Sequence, residues 1–251
     1  MALRALALLA LAAFLATGPA QAAGTHFLEE LTWPELRERI RAGAGTILVP
    51  IGGTEQSGPY IALGKHNVRV RFLAERIASE LGSALIAPVI AYVPEGTINP
   101  PTGHMRLPGT ITVPGDVFEK VLESAARSFK QAGFRDIVFL GDHGDYQANM
   151  KAVAARLNRE WAATSVRAHA LEEYYRAAQV TEHAGAADTS LTLAIDPGLV
   201  RVERLKTQPM PKAADGVQGD PRGASAASGQ VIVARIVNQS VEAIRKVTSP
   251  R

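Results

Sequence analysis

Ile47-Leu48-Val49-Pro50-Ile51 is an apolar, partly β-branched run that breaks at Gly52-Gly53, and a helical pattern follows it after a loop. Such a run reads as a buried strand, and the strand–loop–helix order is the half-unit of a parallel sheet. The same order recurs. Residues 85–90 read as a second strand, residues 136–141 as a third and residues 165–171 as a further one, with a short β run at 110–113. Helical patterns separate them. Thr32-Trp33-Pro34-Glu35 has the spacing of a capping box ahead of Leu36 and Ile40, with Gly43 closing that helix. Asn67 is the expected cap of a second helix, in which Val70, Leu73, Ile77 and Leu81 share one face and Gly82 ends it. Pro114 opens a third helix that Gly133 closes, a fourth runs to about Trp161, and residues 230–246 form a terminal helix with Val233, Ile236, Val237 and Ile244 inward. The expected fold is therefore α/β, a three-layer αβα arrangement around a mostly parallel sheet.

Two stretches resist this pattern. Residues 91–109 carry four prolines and three glycines, which prevents regular structure, and loops of this length inside a compact domain tend to be functional. Residues 206–229 are rich in Gly, Pro, Ala and Ser and read as a long loop.

The chain has 251 residues, with 27 Lys and Arg against 24 Asp and Glu. So small a surplus, with no basic run, gives no reason to invoke nucleic acid. Residues 1–22 read as a secretory signal peptide: Arg4 is its positive region, an unbroken apolar stretch follows, and Ala20-Gln21-Ala22 offers small residues for cleavage. That stretch is shorter than the roughly 20 residues of a membrane span, so no membrane association is expected after cleavage. Residues 23–251 are then one exported domain, periplasmic or secreted. Cysteine is absent, so no disulfide can stabilise it and any metal must be held by nitrogen and oxygen.

In open parallel sheets ligands collect beyond the carboxyl ends of the strands. Glu55 and His66 lie on the loop after the first strand, and His143 and Asp145 on the loop after the third. His104, His183 and Asp188 come from further segments. Imidazole with carboxylate is a ligand set for zinc, manganese or iron, although by spacing alone these residues also fit solvated loops and helix caps.

Five segments, taken in order, resemble the creatininase (creatinine amidohydrolase) family. The loop from Glu55-Gln56-Ser57-Gly58-Pro59-Tyr60 to Gly64-Lys65-His66 is similar to the family's E-Q-H-G-P-H-L-P-L-G-T-D, and Gly141-Asp142-His143-Gly144-Asp145 to its N-G-H-x-E variant. His104-Met105-Arg106-Leu107-Pro108-Gly109-Thr110 is similar to H-x-x-F-P-G-T, His183-Ala184-Gly185 with Asp188-Thr189-Ser190 to H-A-G-E-x-E-T-S, and Gly216-Val217-Gln218-Gly219-Asp220-Pro221 to G-V-x-G-D-P. The resemblance implies a metal-dependent hydrolase of C–N bonds in a cyclic amide or related small amide, assembled as a homo-oligomer, usually a hexamer. It carries metal ligation to Glu55, His143 and Asp145.

The departures bear on that ligand set. Ser57 and Tyr60 stand at the first loop's two family histidines, and His66 at an aspartate that commonly bridges two metals. An imidazole lacks the second oxygen two ions would share, which favours one catalytic ion, zinc first, held by Glu55, His66 and His143. Asp145 is then a fourth ligand or the general base, and His183 the acid that protonates the leaving nitrogen. Ser57, Tyr60 and His104 are expected to border the substrate pocket, and Asp188 to support His183 or a ligand. The competing reading is a family member that keeps the fold, has lost catalysis and binds a small molecule.

Overall fold

The computed structural model describes residues 24–248, so the signal-peptide segment lies outside the described residues. Four strands form one all-parallel sheet in the order β2-β1-β3-β4. They are β1 (Thr46–Ile51), β2 (Leu85–Ile86), β3 (Asp136–Gly141) and β4 (Arg167–Ala170). Thr46 pairs with Asp136, Ile47 with Leu85, and Asp136 with Arg167.

Alternation along the strands sends side chains to opposite faces, and each face has its own helical cover. Leu48, Val138 and Leu140 pack against α2 (Lys65–Leu81), α5 (Glu172–Ala178), α6 (Ala186–Ile195) and α8 (Ala226–Thr248). Ile47, Val49, Ile51, Ile137 and Phe139 pack against α3 (Gly115–Ala132) and α4 (Gln147–Glu160), with Leu36 and Ile40 of α1 (Trp33–Arg41) at the margin. This is the expected three-layer αβα fold. The Thr32–Glu35 capping box is present at the start of α1, and Gly133 ends α3 in the left-handed conformation (φ 109°).

Several elements differ from expectation. The second strand stops at Ile86 because Pro88 has no N–H to give the ladder; pairing resumes only where Ile90 bonds to Pro50 and Gly52. Residues 110–113 are extended without joining the sheet, tied by Ile111 N–H to Thr54 O and Val113 N–H to Val93 O. Helix α2 begins at Lys65, not Asn67. The Asn67 side chain is spent elsewhere, accepting from Gly53 N–H (3.0 Å) and donating to Thr54 Oγ1 (3.1 Å), which clamps the loop after β1 onto α2. The stretch 206–229 is also less irregular than its composition suggests. It holds the end of α7 (Val202–Thr207) and two 3-10 turns, and α8 starts at Ala226, where Ser225 Oγ accepts from Ser228 N–H.

Candidate metal centre

Beyond the carboxyl ends of β1 and β3 the chain buries an unusual concentration of charge. Glu55 sits four residues past β1 and is fully buried. Its two oxygens face different neighbours. Oε1 lies 2.7 Å from His66 Nε2 and 3.4 Å from Lys65 Nζ. Oε2 lies 3.3 Å from His104 Nε2 and 3.3 Å from His143 Nε2, yet has no hydrogen-bond donor, and neither oxygen of buried Glu95 has one.

A buried carboxylate oxygen without a donor is costly, so three together need an explanation. A cation explains them. One donor atom each from Glu55, Glu95, His104 and His143 lies within 4.8 Å of the others. Around an ion bound at about 2.1 Å, ligand atoms sit about 3.0–3.4 Å apart, the separation of Glu55 Oε2 from both imidazole nitrogens. The residues present fit a divalent metal.

The set differs from the one read in the sequence. The two-histidine, one-carboxylate pattern survives with His104 in place of His66. The 3-10 turn Gly103–Arg106 carries His104 inward, braced by Thr110 Oγ1 donating to its carbonyl (2.8 Å) and by Gln56 Nε2 at its Nδ1 (3.2 Å). His66 cannot serve. In the first turn of α2 it is wedged between Glu55 Oε1 and Asp142 Oδ2 (2.5 Å), so both ring nitrogens are already engaged. It holds Glu55 in place instead. Asp145 is likewise outside the cluster: its side chain is exposed, and its backbone N–H caps His143 Nδ1 (3.3 Å).

Glu95 takes the ground assigned to Asp145. The sequence reading missed it, although an acid between Val93-Pro94 and Gly96, in the irregular segment that also bears His104, was a signal. Glu95 Oε2 lies 3.6 Å from His143 Nδ1. Burial pushes the Glu95 carboxyl up to about 8. Burial works against charge on His143 as well, but the Glu55 carboxylate 3.3 Å from its Nε2, with Glu95 and Asp145, wins and raises it to about 9. Glu55 goes the other way: Lys65 and His66 outweigh burial and hold it well below the usual carboxylate range.

The remaining expected residues have other jobs. His183 is held near 4 by burial and then by Lys65, so at neutral pH it has no surplus proton for a leaving group. Its Nε2 lies 2.9 Å from Gln56 O. Asp188 does not bond His183; it binds Lys65 Nζ (2.5 Å), Arg69 Nη1 (2.5 Å) and Ala184 N–H (2.8 Å). Ser57 is buried, its Oγ 3.5 Å from Glu55 Oε1. Tyr60 points away from the pocket, donating to Pro209 O (3.2 Å).

Behind the cluster runs a network the sequence did not disclose. Arg69 bridges Asp188 and Asp142, and Asp142 also accepts from Tyr174 Oη (2.8 Å). The cationic groups of Lys65 and Arg69 thus lie against Asp142, Asp188 and Glu55, as buried charge requires. A cavity of about 250 Å³ opens over it, bordered by Lys65, His104, His143, Tyr174 and His183.

The sequence model for creatinine amidohydrolase matches residues 29–244. The chain is 29% identical over 226 residues to the mycofactocin precursor peptide peptidase of Mycolicibacterium smegmatis, covering 80% of this chain and 84% of that one. It is 24% identical over 258 residues to the creatinine amidohydrolase of Pseudomonas putida, covering 89% of this chain and 98% of that one. A solved manganese creatininase superposes with a TM-score of 0.76 at 23% identity, over 90% of this chain and 100% of its own. With its fold shared and the family's sequence pattern running from ahead of α1 into α8, the chain belongs to the creatininase family of hydrolases.

Proposed function

We propose that this protein is an exported hydrolase that uses one divalent metal, zinc in the first instance, to cleave a C–N bond in a cyclic or other small amide. The observation that carries the reading is the convergence of donor-less oxygens of Glu55 and Glu95 on His104 and His143. A single ion follows from the division of Glu55, because His66 and Lys65 already crowd Oε1 and leave only Oε2 for a metal.

A bound divalent ion would lower the pKa of a coordinated water toward about 7 and polarise the substrate carbonyl. The chain's own groups supply the rest. Glu55, His104 and His143 would hold the ion, and Glu95, the buried carboxylate beside them, would be kept ionised by the ion's charge and so able to accept a proton from water. His66, Asp142 and Arg69 lock Glu55 in orientation, the task that residues behind a metal ligand perform. His183 and Gln56 border the space in which the amide lies.

Metal analysis of the purified full-length domain tests this directly. One ion per chain is expected, lost in His104→Gln and bound roughly 10–100-fold more weakly in His66→Gln. Hydrolysis of a panel of cyclic and linear amides should disappear with a chelator and return with zinc or manganese. A protein holding no ion would instead favour a small-molecule binder on the same fold. Equal metal loss in both variants would return His66 to the ligand set.

A further inference from the structure

His104 and His183, their ring centroids 4.4 Å apart, stand between two cavities. The first, described above, contains charges that are already matched, since Lys65 and Arg69 lie on Asp188 and Asp142. The second, of about 380 Å³, shares His104, His183 and Gln218 with it and is otherwise walled by Gln56, Arg106, Leu107 and the segment around Ala213 and Gly216. No acidic side chain lines this second space. Arg106 is the one residue in its wall that is always ionised, and among the described residues its guanidinium makes no hydrogen bond or ion pair. Arg106 is itself exposed, but it lines a cavity walled by two site histidines, where its unpartnered guanidinium faces a space that a ligand can fill.

Of the two glutamines there, Gln56 is committed through both ends of its side-chain amide. Gln56 Nε2 is at His104 Nδ1 and its Oε1 accepts from Gly58 N–H (3.1 Å). Gln218 pairs with His183 through both backbone groups. The turn Gly103–Arg106 that brings His104 to the cluster therefore also brings a free, forked donor two residues on, beside a space with nothing negative in it. A guanidinium in this setting selects a planar anion, and carboxylate is the small-molecule anion it matches bidentately.

We propose that this second cavity is a carboxylate-binding subsite, in which Arg106 receives a carboxylate borne by the substrate on one side of the scissile amide. The substrate class is then an N-acylated amino acid or the free carboxyl-terminal unit of a short peptide, lying across the His104–His183 pair with its acyl portion toward the first cavity. This rests on the hydrolase reading for its amide and not for its anion.

The test is calorimetric binding to the metal-loaded full chain, with hippurate and its neutral carboxamide as the paired probes. The intact protein should bind hippurate roughly 10–100-fold more tightly than the carboxamide, the difference expected for a charge-assisted pair. Arg106→Gln should erase that preference with metal content unchanged, and Arg106→Lys should retain part of it. A preference that persists in Arg106→Gln would mean that the ion itself takes the carboxylate, and would overturn the proposal. So would equal affinity for both probes, or no binding of either at millimolar concentration. Turnover is not read, so a chain that binds hippurate through Arg106 but hydrolyses no amide would uphold the subsite and remove only the hydrolase reading.

Discussion

Glu95 and His143 tie the fold to protonation in the range just above neutral pH. Both hold protons more firmly in the folded chain than when exposed: Glu95 near 8 against 4.5, and His143 near 9 against 6.5. The stability each confers on the metal-free protein is thus full below its unfolded value and drains as pH rises through the folded one. His183, shifted from 6.5 to about 4, acts in the opposite sense and weakens the fold only on the acid side of 6.5. The melting temperature of chelator-treated protein should therefore fall between pH 6.5 and 9, with a shallower fall in Glu95→Gln. Saturating zinc should abolish the fall, because ligation takes the place of the His143 proton and the ion's charge keeps Glu95 ionised. A pH-independent melting temperature in the chelator would count against this electrostatic picture. The candidate residues themselves were half legible. Glu55 and His143 follow clear strand patterns, whereas His66 and His104 exchange roles. That exchange depends on which imidazole has a nitrogen left over after packing, and no local pattern reports it.

At the scale of elements, the site depends on how closely α6 approaches α8. Gly229 of α8 faces the Ser190 carbonyl of α6, and a β-carbon built there would lie only 1.9 Å from that oxygen. Gly229→Ala should thus destabilise the protein by about 1–3 kcal/mol in urea unfolding, despite alanine's better helix propensity of about 1 kcal/mol. Since α6 also carries Asp188, the partner of Lys65 and Arg69, the same variant should lose metal affinity as the helices separate. Unchanged or increased stability would show that the helices can part freely. The elements were read most accurately where local chemistry is decisive. The Thr32–Glu35 box, Pro114 and Gly133 mark their helix ends correctly, and β3 spans the residues its apolar run indicated. Helix α5 went unrecognised, although Glu172 and Glu173 in its first turn and Arg176 in its last complement the helix dipole.

For the molecule as a whole, no helix among the described residues is long and apolar enough to cross a membrane. Export by way of residues 1–22 is part of the proposed function and has a simple check. Mass spectrometry of protein recovered from a periplasmic extract should find a chain beginning at Ala23, and a full-length chain confined to the membrane fraction would refute it. The absence of cysteine means that the domain relies on its two packed cores, one on each face of the sheet.

Sequence alone determined the αβα architecture, the alternation of its main strands and helices, and the loops on which chemistry would gather. Those features are written in periodicity and in turn and capping residues, all set by neighbours within a few positions of the chain. Tertiary structure decided which side chains stand together as a candidate metal cluster. Glu95 joins the cluster, His66 becomes a brace and Asp145 stays in solvent because donors and acceptors must balance among groups up to 133 positions apart, from Glu55 to Asp188. That balance is struck only once burial has removed water as an alternative partner.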